Sequence, residues 1–206
     1  MDTAPILAMG TFALGMSISP GPANMVIVAS GANHGFRRTL PFVSGATVGF
    51  TLLLAFVGFW LLQAVGGHPA LLHWLGIAGA AFVAWVGWRI AASRPGPPGA
   101  VAGAPGFAQG FLLQWLNPKA WVACASGAAL FSDPRTHAAL ALFMAIYFVV
   151  CYLSLAAWAL LGDRASALLD SPRRMRLFNV AMGGLLVATA AYMLWLQLFP
   201  SPARAG

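Results

Sequence analysis

The chain contains no glutamate, and its acids are four aspartates: Asp2, Asp133, Asp163 and Asp170. Charged residues make up 7% of its 206 positions, against about 25% in a soluble domain. Cysteine is scarce too. Cys124 and Cys151 both lie in apolar segments, and neither belongs to a Cys-x-x-Cys pair. That speaks against a disulfide framework or a zinc site, and both read as small buried hydrophobes. No Lys or Arg precedes the first apolar run, which is long and follows Asp2, so a signal peptide is not expected there. The sequence calls for no cofactor, no metal and no catalytic group.

What remains is apolar: 60% of the residues are hydrophobic. The expectation is an all-α integral membrane protein whose main partner is the lipid bilayer. The net charge of +7 does not indicate nucleic acid. The arginines fall in short loops between apolar runs, where cytoplasmic lipid and topology account for them.

A spanning helix needs about 20 apolar residues. Six segments qualify: 6–32, 39–65, 71–92, 107–130, 138–162 and 177–199. The first, third and fifth connections carry Arg37, Arg38, Arg89, Arg94, Arg164, Arg173, Arg174 and Arg176; the remaining connections and the C-terminus carry only Arg135 and Arg204. The positive-inside rule then puts the odd-numbered loops in the cytoplasm and both termini outside. Trp74, Trp88 and Trp195, near helix ends, suit an interfacial aromatic belt. Gly66-Gly67-His68-Pro69 reads as a tight turn, and His34 and His137 as solvated loop histidines.

The sequence repeats itself. Phe12-Ala13-x-Gly15 returns as Phe107-Ala108-x-Gly110, Ala29-Ser30-Gly31-Ala32 as Ala125-Ser126-Gly127-Ala128, and Arg38-Thr39 as Arg135-Thr136, at offsets that grow from 95 to 97 residues. Three helices per copy is an odd number, so the second copy enters the membrane from the other side. The expected fold is an inverted 3+3 repeat. Residues 1–92 form one half, 93–106 a Pro/Gly-rich cytoplasmic linker, and 107–206 the other half.

Two proline motifs interrupt the first and fourth helices: Pro20-Gly21-Pro22 and Asn117-Pro118-Lys119. Proline removes an N–H and clashes with the carbonyl four residues back, which would free the carbonyls of Met16, Ile18 and Gln114. Lipid cannot satisfy such groups, so the breaks belong where protein or water covers them. Asn117 is a good N-cap for a restart at Pro118, and Gly21 or Ser19 for one at Pro22. Each restarted half-helix would aim its positive end at the membrane centre, where a carboxylate fits, with Lys119 adding a full charge. Freed carbonyls and the amides of Asn24, Gln114 and Asn117 would take an ammonium group. Pro20, Gly21, Pro22, Asn24, Gln114, Asn117, Pro118 and Lys119 are therefore the candidate binding residues, for a small zwitterion. A cation without a carboxylate would find no counter-charge.

Blander readings stand beside these. One proline can be only a kink, and Lys119 could snorkel to the interface. Ser44-Gly45 and Gly49, with Thr47 and Thr51, read as a face for close helix packing. Arg37 and Arg38 read as topology determinants.

Ser19-Pro20-Gly21-Pro22-Ala23-Asn24 resembles the first-helix motif of the lysine exporter (LysE/RhtB) family of bacterial amino-acid exporters. Gly76 to Arg89, ending Val86-Gly87-Trp88-Arg89, is similar to its third helix. Gly110-Phe111-Leu112-Leu113-Gln114-Trp115-Leu116-Asn117-Pro118-Lys119-Ala120 resembles its fourth-helix signature. Arg173-Arg174 with Leu177-Phe178-Asn179 and Gly183-Gly184 resembles its last loop and helix. Asn33-His34-Gly35-Phe36-Arg37-Arg38, with Gly45 and Gly49-Phe50, looks most like the cysteine and O-acetylserine exporter branch. The resemblance implies a secondary transporter of the bacterial inner membrane that exports a small amino acid or derivative, driven by the proton motive force. Its partners would be the zwitterionic substrate and the bilayer, with a homo-oligomer as a further option. Three departures stand out. Ala23 occupies a position where many relatives have Asn, no acid lies near Phe50, and Phe131-Ser132-Asp133-Pro134 differs from the common fourth loop. The alternative is a thiol/disulfide electron conduit across the membrane, but the first helix has no cysteine to pair with Cys124.

Overall fold

The computed structural model describes residues 3–61, 69–93, 103–131, 137–169 and 171–199. Among them the chain is helical without strands: α1 (Thr3–Ile18), α2 (Pro22–His34), α3 (Phe36–Phe56), α4 (Pro69–Ala92), α5 (Phe107–Trp115), α6 (Pro118–Phe131), α7 (Ala138–Ser166) and α8 (Pro172–Leu198). A π-helical turn, Val57–Leu61, extends α3. The turn at 66–68, Arg94 and most of the linker lie outside the described residues. So do Asp2, Asp133, the Arg135-Thr136 repeat match, Asp170 and Arg204.

Helices α3, α7 and α8 are each long and apolar enough to cross a membrane, and α1 with α2, bent by 61° at their break, make a fourth span. The described apolar stretch of α4, Ile77–Ala92, is shorter. Only 33% of the most apolar stretch of α7 and 28% of that of α8 is buried. Leu153, Leu161, Leu177 and Trp195 project outward while Asn24, Gln114 and Asn117 lie inside. Apolar patches of that extent, around a polar interior, fit lipid rather than water. Trp74 and Trp88 are exposed as well.

Local sequence explains the helix starts. Ser171 caps α8, its hydroxyl accepting from the Arg174 N–H at 3.3 Å ahead of Pro172 at the first helical position. Gln109 reaches back to the Gly106 N–H at 2.6 Å to begin α5. The first connection is shorter than expected. The loop read at Gly31 to Arg38 shrinks to Gly35 alone, whose φ of 85° is natural only for glycine. Arg37 and Arg38 thus sit in the first turn of α3, and Asp163 and Arg164 in the last turn of α7.

Backbones approach closely where glycines permit it. A side chain at Gly45 would strike the Phe107 carbonyl, and one at Gly110 the Phe42 carbonyl, so α3 and α5 pack backbone to backbone. Gly87 and Gly183 face each other's carbonyls in the same way and join α4 to α8. The face at Ser44-Gly45 and Gly49 is thus a packing face.

The first, third and fifth connections meet at one end. Asn33 and Asn179 exchange amide hydrogen bonds at 2.7 and 3.0 Å, and Asn179 also donates to the Ser93 hydroxyl at 3.0 Å. Arg176 donates to the carbonyls of Ala91 and Ser93 at 2.7 and 3.0 Å. His34 is the last residue of α2, its Nδ1 lying 3.3 Å from the Ser30 carbonyl. His137 starts α7 with its ring against Phe59 at 5.1 Å.

Candidate functional site

Both helices break at the proline motifs. α1 stops at Ile18 and α2 restarts at Pro22; α5 stops at Trp115 and α6 restarts at Pro118. Gly21 is the N-cap of α2 and has no side chain to cap with. Asn117 caps α6, its Oδ1 accepting from the Lys119 N–H at 3.1 Å. Ser19, the other cap considered for α2, turns elsewhere.

The two breaks meet through one side chain. The Lys119 Nζ donates to the Ser19 carbonyl at 2.6 Å, the Ser19 hydroxyl at 2.8 Å and the Pro20 carbonyl at 3.4 Å. Its partners are neutral oxygens from the opposite half of the chain. Gly21 eases this approach: a Cβ there would stand 3.0 Å from the Lys119 Cδ and 3.2 Å from its Nζ, so the lysine would have to shift. Asn24 serves the same break from the α2 side, donating to the carbonyls of Ser17 and Ser19 at 3.0 and 3.1 Å.

Two of the three carbonyls expected to be free are not. Met16 O accepts from the Ser19 hydroxyl at 3.1 Å and Gln114 O from the Asn117 N–H at 3.2 Å, so neither is free. The proline rule looks only four residues back. α1 has already ended before Pro20, so its whole last turn offers acceptors, and those of Ser17, Ser19 and Pro20 carry the contacts. Asn117 Nδ2 lies 3.4 Å from Gln114 Oε1, which ties these two amides together.

Gly21, Asn24, Gln114, Asn117 and Lys119 line one cavity of about 30 Å³. Pro20 joins them through its carbonyl. Pro22 and Pro118 do not line it; they begin the two half-helices. About 10–15 Å³ holds a water, so the cavity admits waters but no amino acid in this state. A larger cavity of about 460 Å³, lined by Ser30, Asn33, His34, Trp85, Arg89 and Gln109 among others, opens at the end where α2 and α4 finish; the two share no lining residue. Arg89 lies over the Trp85 ring at 5.1 Å.

Sequence reasoning missed the α7 wall of the small cavity. Tyr147, Cys151 and Leu155 face it, with Ser17 from α1 and Phe50 from α3. Phe50 stacks on Tyr147 at 4.2 Å. Cys151 was read as a buried hydrophobe, and buried it is, but against this cavity. Nothing in the spacing of α7 marks that face. Cys124 is a buried free thiol as well.

The chain matches the LysE type translocator family over residues 14–197. A cysteine/O-acetylserine efflux protein from Shigella flexneri serotype 5b is 32% identical over 136 residues, which cover 65% of this chain and 70% of that protein. The protein of the same name from Escherichia coli K12 is 30% identical over 138 residues, covering 67% and 71%. No solved structure matches. With a family match across nearly the whole chain and a polar cavity between two broken helices, this multi-pass membrane protein belongs to the LysE-type translocators, a family of transporters rather than enzymes.

Proposed function

We propose that the protein exports a small neutral amino acid or derivative, cysteine or O-acetylserine among the candidates, across the bacterial inner membrane, driven by the proton motive force. The names of its relatives support this substrate class. The observation that carries the reading is the contact of Lys119 with the first break. A cation from one half sits on carbonyls of the other, inside a cavity lined by the first turns of both restarted half-helices. A substrate carboxylate competes for the Lys119 Nζ, aided by the positive ends of α2 and α6. Its ammonium takes the Ser17, Ser19 and Pro20 carbonyls that Lys119 and Asn24 now occupy. Binding therefore loosens the contact between the breaks, which links occupancy to opening.

Six spans in an inverted 3+3 arrangement fit this mechanism, with residues 1–92 and 107–206 as the halves and 93–106 as the linker. Three sets of helix contacts support it, because they are related by exchange of the halves, while among the described residues those of α2 with α4 and α8 have no comparable counterpart for α6. α3 packs on α5 as α7 packs on α1; α3 packs on α6 as α7 packs on α2; α4 and α8 pack on each other. The halves would rock about the small cavity. The arginine-bearing end, with the 460 Å³ cavity, is then the cytoplasmic vestibule, and both termini face outside. Among the described residues no carboxylate lines the small cavity. A proton that couples to export must travel on another group or on the substrate.

Counterflow in proteoliposomes, with labelled cysteine, O-acetylserine, homoserine, threonine, leucine, lysine and arginine and with or without a pH gradient, tests the reading. Exchange of neutral amino acids, accelerated by the gradient, is the expected result. Exchange confined to lysine and arginine sinks it.

A further inference from the structure

Helical serine and threonine hydroxyls can bond to a carbonyl one turn back, and several in this protein do. Thr39 reaches Gly35 O at 3.0 Å, Thr51 reaches Thr47 O at 2.9 Å, and Thr189 reaches Leu185 O at 2.7 Å. Ser17 and Thr47 do not. Ser17 is 6% exposed and Thr47 0%, and neither hydroxyl has a hydrogen-bond partner. Ser17 faces the Cys151 thiol and the Tyr147 hydroxyl, and Thr47 faces the Cys151 thiol, without closing a hydrogen bond to either. Ser17, Tyr147 and Cys151 line the small cavity; Thr47 does not.

Buried hydroxyls without partners are uncommon, and each calls for an explanation. Here two converge on one thiol at the wall of a cavity that already holds groups for an ammonium and a carboxylate. The ring of Phe50, stacked on Tyr147, lines the same wall.

We propose that Ser17 and Cys151, backed by Thr47, form a side-chain subsite that selects amino acids whose short side chain ends in a hydroxyl, thiol or comparable small polar group. The inference rests on the export reading above and specifies what that site discriminates. A site built to hydrogen-bond a substrate group rejects the analogue that lacks it, because its own polar atoms are then left unpaired. The protein should therefore prefer L-cysteine to L-2-aminobutyrate and L-serine to L-alanine. In the first pair a methyl replaces the thiol, and in the second the hydroxyl oxygen is absent.

Competition counterflow in proteoliposomes with these four amino acids is the test. For the wild type, the ratio of transport efficiencies within each pair should be about 10-fold or more in favour of the polar member. Ser17→Ala should bring the ratio near unity by lowering cysteine and serine transport, with 2-aminobutyrate and alanine retained. The near-isosteric Thr47→Val should move it the same way by less, and it carries the test if Ser17→Ala fails to insert. Unchanged ratios in the variants, or a wild type indifferent within both pairs, overturn the subsite while leaving export standing. A wild type that exchanges none of the four overturns the subsite, and the wider panel above decides whether export stands.

Discussion

At the first break three residues, Ser19 to Gly21, separate the helices, while at the second only Leu116 and Asn117 do. The second break repairs itself locally. Asn117 caps the new helix, the Gln114 carbonyl takes the Asn117 N–H, and the Trp115 carbonyl takes the Trp121 indole at 2.7 Å. The first break does not. Its N-cap has no side chain, and its exposed carbonyls depend on Asn24 and on Lys119 from the other half. One break is therefore rich in acceptors, and the other supplies the charged donor. The proposed zwitterion site draws on this difference between the two breaks.

Lys119→Ala should have the largest effect. It removes charge-assisted hydrogen bonding worth about 3 kcal/mol, so export in proteoliposomes should fall about 100-fold or more while membrane insertion persists. Normal export would show that the donor role assigned to the second break is wrong. Asn24→Ala takes a donor from the buried Ser17 carbonyl and one from the Ser19 carbonyl, which keeps Lys119. It should cost about 1–3 kcal/mol, read as a lower midpoint of thermal unfolding in detergent. Asn117→Ala tests the self-sufficiency of the second break. Loss of a cap costs about 1 kcal/mol, so its melting shift should be the smaller of the two, and a larger one would reverse the comparison. Cys124→Ala should change export by less than about two-fold, since a buried free cysteine acts as a small hydrophobe. Collapse of activity in that variant would favour the electron-conduit alternative.

The breaks themselves were plain in the sequence, because proline and glycine inside an apolar run have few other uses. Their meeting was less so. The chain contains a single lysine, and its central position pointed to a role, but only the folded chain shows it on Ser19. The carbonyl acceptors were misread since one rule about proline was applied to a helix that had already ended. The α7 wall was invisible, because Tyr147 and Cys151 look like ordinary members of an apolar helix. The matched glycines also do unlike work. Gly31 meets the backbone of α7 at Ala159, whereas Gly127 meets the Phe143 ring. A repeat in sequence announces a shared plan and leaves each contact to be settled by the neighbours.

Gly35 gives the plan a mechanical side. α2 is a rod of 13 residues, about 20 Å long. Its Gly21-capped end borders the small cavity, and Asn33 and His34 at its other end border the large one. A single residue, Gly35, joins it to α3. If the halves rock as proposed, α2 is the element that reaches from the central contact to the far opening, and a wedge placed in that opening should slow export in proteoliposomes.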